Sequence, residues 1–133
     1  MKKGFSLLEL IFAIVIIGVI ASFAVPKFLD TKDTAVASTI KRDISSIISA
    51  VQTYYLQKEE ITSISDAITY NDQNWIAQED NPNKITDKNN CVTIEVKPDD
   101  KDIIQVTLLS NDSENTCAKL EVEGIKTQEY NLI

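Results

Sequence analysis

The chain has 133 residues, the size of one domain, and its 44% apolar and 25% charged fractions exclude a wholly disordered protein. It has no histidine, two cysteines and three glycines. That excludes imidazole catalysis, the commonest zinc ligation, a zinc finger and a glycine-rich phosphate loop, so an enzyme is not expected. The formal charge of −7 is uneven, +3 over residues 1–58 and −10 over 59–133. An acidic half repels a phosphate backbone and argues against nucleic acid as a partner, unless Lys84 and Lys88 form a local basic patch.

At the N-terminus an apolar stretch of 21 residues runs from Phe5 to Val25, with Glu9 as its only charge. At ~1.5 Å per residue a helix of that length crosses a hydrocarbon core of about 30 Å. Lys2 and Lys3 precede it, so the positive-inside rule puts the N-terminus in the cytoplasm and residues 27–133 outside. An ordinary secretory signal cut after Ser22-Phe23-Ala24 would release a soluble secreted binding protein beginning near Val25. A plain membrane anchor would keep the stretch. Both readings leave Glu9 as an unexplained cost in lipid.

The run Lys2-Lys3-Gly4-Phe5-Ser6-Leu7-Leu8-Glu9 accounts for the charge. It resembles the prepilin-type signal of type IV pilins and type II secretion pseudopilins. In that family a short basic leader ends in glycine, phenylalanine follows, a glutamate stands four residues further on, and an apolar helix continues. Gly18 and Pro26 also stand at the family's usual places, so the resemblance covers the leader and the first helix through Pro26.

The resemblance implies cleavage between Gly4 and Phe5 by a prepilin peptidase on the cytoplasmic side, and methylation of the new Phe5 amine. Loss of leader 1–4 leaves 129 residues with a formal charge of −9. It further implies polymerisation with copies of itself and related pilins, at an assembly platform in the bacterial inner membrane. Glu9 would pair with the Phe5 amine of a neighbour, although one helical turn also allows a pair within the chain. Gly18 and Ser22, four apart with Ala21 beside them, have the small-residue spacing that lets helices approach closely in lipid.

Pro26 has no N–H for the carbonyl of Ser22, which predicts a kink or loosening there. Beyond it Val36, Ile40, Ile44, Ile47, Ile48, Val51 and Tyr55 make one helical stripe, with the helix ending near Gln57 or Lys58. Residues 59–90 read as a connector loop with one short helix near Ser65 to Ile68, docked by Trp75 and Ile76. After residue 91 the pattern alternates. Val92, Ile94 and Val96 predict one strand, and Ile104, Val106 and Leu108 a second. Leu120 with Val122 predict a third, and Tyr130 with Leu132 a fourth. Turns at Pro98-Asp99-Asp100-Lys101 and Asn111–Asn115 separate the first three.

The fold class expected is therefore α+β. A long N-terminal helix, transmembrane over 5–26 and amphipathic over 27–58, packs on a small antiparallel sheet of three to four strands in 91–133.

Cys91 and Cys117 both fall in the exported part, and an even count there argues for a disulfide. Closing a loop of about 27 residues contributes roughly 3–4 kcal/mol in the chain-entropy account. In a simple meander the two would begin the first and third strands, about 9.5 Å apart, too far to bond. Either the cysteines lie outside the ladder or the strand order is not sequential. Many type IV pilins have a C-terminal disulfide and many pseudopilins do not.

Asp99, Asp100 and Asp102 group in one turn, and Asn111, Asp112 and Glu114 in another. Some major pseudopilins bind calcium in a C-terminal loop. Neither turn here holds a complete ligand loop or a glycine for the sharp bend, so both read as solvated turns with no metal and no cofactor. The function expected is mechanical: a structural filament subunit anchored in membrane lipid. A minor pilin of a DNA-uptake (competence) apparatus and the soluble secreted binding protein stay open as alternatives.

Overall fold

A computed structural model describes residues 4–99, 101–109 and 115–133. The chain divides into two compact units, one up to Asp33 and the other from Thr34 to Ile133. Helix α1, Leu7–Lys58, is assigned without interruption through Pro26. It ends where the stripe predicts.

In the first unit the large apolar side chains of α1 are exposed, among them Leu7, Ile11, Phe12, Ile16, Ile20, Phe23, Phe28 and Leu29. By length and composition this helix is long and apolar enough to cross a membrane.

The second unit is built on the other half of α1. Ala37, Ile40, Ile44, Ile47, Ile48 and Val51 are buried along one face. This is the predicted stripe, with Ala37 added and Val36 and Tyr55 half-buried at its margins. The spacing of three and four residues aligns these side chains down the helix, and each buried isoleucine contributes about 1.5–3 kcal/mol.

They pack on a five-stranded sheet: β1 Trp75–Gln78, β2 Asn81–Asp87, β3 Val92–Lys97, β4 Ile103–Leu108 and β5 Gln128–Asn131. The order is sequential and every pairing antiparallel. Register places Ile85 opposite Ile94, and Ile94 opposite Val106, so three strands stack their apolar residues under the helix. Gln52 of α1 donates from Nε2 to the Asn131 carbonyl (2.7 Å), tying the last strand to the helix.

Three expectations are corrected. Residues 59–90 are not all connector, because they contain β1 and β2 as well as the predicted short helix, α2 (Ile64–Ala67). The sheet therefore has five strands, not three to four, and it starts at Trp75. The strand expected at Leu120 and Val122 is helix α3, Asn115–Val122. Thr116, Cys117 and Leu120, at helical spacing, are its buried residues, and Val122 is 83% exposed.

Trp75 anchors β1 as expected, 2% exposed, with its Nε1 donating to Asp43 Oδ2 (3.0 Å) on α1. Ile76 does not dock: strand alternation turns it outward, 47% exposed.

Candidate functional site

The sequence places the candidate assembly residues at the start of α1. Gly4, Phe5 and Ser6 precede the helix. Gly4 has room for a Cβ and no left-handed φ, so the fold itself does not require a glycine there. Phe5 is 88% exposed.

Ser6 and Glu9 form a reciprocal capping box. The Ser6 N–H donates to Glu9 Oε2 (2.9 Å), and the Glu9 N–H donates to Ser6 Oγ (3.2 Å). The Ser6 carbonyl accepts from the Leu10 N–H (3.1 Å), which starts the helical ladder. The pattern Ser-x-x-Glu before an apolar run signals this box in the sequence.

Further along, Gly18 leaves open space on the helix surface, and Ser22 Oγ donates to the Val19 carbonyl (2.7 Å). Ser22 is thus satisfied within its own helix. Pro26 stands inside the helix. Lys2 and Lys3 of the leader lie outside the described residues.

In the second unit Cys91 and Cys117 are bonded, with Cα atoms 5.0 Å apart. The geometric difficulty resolves by its first alternative. Cys91 sits just before β3, where its carbonyl still accepts from the Leu109 N–H (2.7 Å), but Cys117 lies on α3 outside the ladder, so the strand order stays sequential. Alkylation of the non-reduced protein is expected to label neither thiol. Cys117→Ser is expected to lower stability by roughly 3 kcal/mol in urea unfolding.

Cys91 is positioned by a residue that pattern reading did not single out. Asp87, at the end of β2, is fully buried. Its Oδ1 accepts from the backbone N–H groups of Cys91 (2.6 Å) and Val92 (2.7 Å), and its Oδ2 from that of Asn89 (3.1 Å). Burial pushes its pKa above the ordinary carboxylate value, and the three N–H donors oppose that shift. Asn90 closes the turn in the left-handed region, φ 56°, which asparagine tolerates.

The acidic turn does other work than ligation. Asp102 Oδ1 accepts from the Tyr55 hydroxyl (2.9 Å), joining the β3–β4 turn to α1 and pushing the tyrosine pKa up. The Asp102 carbonyl accepts from the Leu132 N–H (2.8 Å). Asp99 lines an open cleft of about 360 Å³ with Glu59, Glu60 and Asn83. Among the described residues no three acidic or cysteine side chains are grouped to hold a metal. Asp100, Asn111, Asp112 and Glu114 lie outside the described residues. Lys84 lies on β2 and Lys88 just past its end.

Comparison with known proteins bears on the first of these regions. Residues 1–25 match the prokaryotic N-terminal methylation motif. The N-terminus is therefore similar to those of the pilins and pseudopilins that match it.

The chain is 36% identical over 67 residues to the type II secretion system core protein G of Pectobacterium carotovorum, covering 50% of this chain and 43% of that one. It is 40% identical over 55 residues to the core protein G of Klebsiella michiganensis, covering 41% and 39%. The type IV major pilin protein PilA of Myxococcus xanthus is 25% identical over 69 residues, covering 52% and 31%. These matches span less than half the length of each relative. No solved structure matches the chain.

Proposed function

We propose that the chain is a structural subunit, pilin or pseudopilin, of a type IV pilus-like or type II secretion-like filament. The observation that carries this is the union of a methylation motif with a helix whose N-terminal part is long and apolar enough to cross a membrane and keeps its large apolar side chains exposed. A helix face of that kind needs lipid or other helices around it. Lipid holds it before assembly, and copies of this chain and related pilins cover it in the filament.

Processing between Gly4 and Phe5 by a prepilin peptidase frees the Phe5 amine for methylation. Before assembly the subunit spans the bacterial inner membrane once, with its N-terminus cytoplasmic and the second unit on the periplasmic side. An assembly platform in that membrane then draws it into the filament. Glu9 pairs with the Phe5 amine of a neighbour and sets the axial register. Gly18, Ser22 and Pro26 shape the packing of the helix. The subunit itself is not catalytic.

Intact mass of the protein purified from membranes tests the reading. The expected mass is that of a chain starting at Phe5 with one added methyl group. A mass beginning near Val25 would instead establish ordinary signal cleavage and a soluble product.

A further inference from the structure

The two halves of the disulfide are held very differently. Cys91 is fixed by the backbone around it. Its N–H donates to Asp87 Oδ1 (2.6 Å), its carbonyl accepts from the Leu109 N–H (2.7 Å), and it is fully buried. Cys117 stands on α3, a helix of eight residues. A helix that short does not persist in water by itself and forms only where packing holds it. Among its described side chains Thr116, Cys117 and Leu120 are buried, so Leu120 is the one large apolar anchor it sinks into the core. The ion pair of Lys41 with Glu123, just past the helix (3.8 Å), is solvent-exposed and holds little.

The chain on either side of α3 does not need the bond. β4 pairs with β3 along its whole length, and β5 pairs with β4. Gln52 is bonded to the Asn131 carbonyl, and Leu132 is buried. We propose that the Cys91–Cys117 bond is a redox latch for α3. Oxidised, it clamps the helix on the sheet through the fixed Cys91; on reduction α3 comes away while the sheet and the buried stripe of α1 stay folded. A dithiol supplies the two electrons and two protons: the S–S bond breaks, two thiols form, and the reductant closes to its own disulfide. Leu120 and Thr116 are then left to hold a helix that does not form unaided, and release bares Leu120 to water.

The test uses the full chain in detergent, reduced with dithiothreitol under otherwise native conditions. Hydrogen exchange is expected to show the amides of residues 117–122 losing at least about tenfold in protection relative to the oxidised chain, with those of 94–96 and 104–106 unchanged. Timed alkylation with iodoacetamide is expected to label Cys117 at least about tenfold faster than Cys91, because only the former leaves its buried place. The Cys91→Ala/Cys117→Ala double variant should reproduce the exchange pattern, independently of how well a reductant reaches the buried bond.

Protection of α3 that survives in the double variant would overturn the latch, since Leu120 and its neighbours would then hold the helix alone. Loss of protection in β3 and β4 together with α3 would overturn it as well, by making the bond a support of the whole unit. Equal labelling of the two thiols in the reduced chain would count against it for the same reason.

Discussion

Glu9→Ala is expected to leave the chain cleaved after Gly4 and held in the membrane, yet to abolish its filaments or reduce them sharply. A carboxylate in an apolar helix is costly unless a positive group meets it. The proposed processing would remove Lys2 and Lys3, and the next cation in the sequence is Lys27, five helical turns away by ~3.6 residues per turn. The amine that cleavage would free on Phe5 would then be the cation near enough in sequence.

Within the chain, the Ser6 N–H donates to Glu9 Oε2 at the helix start (2.9 Å). Under the proposed pairing, the contact between subunits would fix how far one helix slides along the next, while the exposed apolar side chains would supply the attraction. If Glu9 merely sat at headgroup level, alanine would remove a charge from the apolar segment, and filaments would form as well or better. Filament counts by electron microscopy, beside intact mass, decide between the two. Normal filaments from cleaved Glu9→Ala protein would end the proposed role.

What was legible in the sequence depended on whether burial left a periodic trace. The stripe from Ile40 to Val51 did, because one face of a helix lies against a sheet and the other meets water. The N-terminal segment was legible for another reason: a lone charge in 21 apolar residues demands an explanation, and the residues around Glu9 supply one.

Strand β2 left no such trace. It reads Asn-Pro-Asn-Lys-Ile-Thr-Asp, with Ile85 its only large apolar residue, and backbone pairing to β1 and β3 defines it more than composition does. Pro82 argues against a strand interior but is tolerated near a strand's start, where it stands. β1 is a four-residue edge whose one strong signal is Trp75.

Helix α3 was misread because Leu120 and Val122 alone fit a period of two. The wider set of Thr116, Cys117 and Leu120 fits the helix. The cysteine distances contained the warning, since two strands of a meander could not have brought Cys91 to Cys117. Of the residues that matter in the site, Ser6 was readable from its spacing to Glu9. Asp87 was not, because nothing in composition separates a buried aspartate from the surface acids around it.

Asp87→Ala is expected to cost about 3–5 kcal/mol, a large share of the ~5–15 kcal/mol that holds a typical domain. The substitution removes the acceptor of three backbone N–H groups, and two of them belong to Cys91 and Val92, which are fully buried. Water cannot replace the lost partner there without opening the β2–β3 turn. Asp87→Asn should cost less, because its amide oxygen can still serve the Cys91 and Val92 N–H groups, while its NH₂ faces the Asn89 N–H unproductively. Urea unfolding of the detergent-solubilised chain measures both.

The pH dependence separates the causes. Burial raises the folded-state pKa of Asp87, so the folded chain keeps this proton to a higher pH than the unfolded chain does. The resulting stabilisation is present in full below the unfolded value of about 3.9 and is lost as the pH rises through the raised folded value. Asparagine does not titrate. The native chain's advantage over Asp87→Asn should therefore shrink as the pH is raised from acid toward neutral. An advantage that grew with pH would mean that the three N–H donors outweigh burial, so that the turn is held by a stabilised carboxylate.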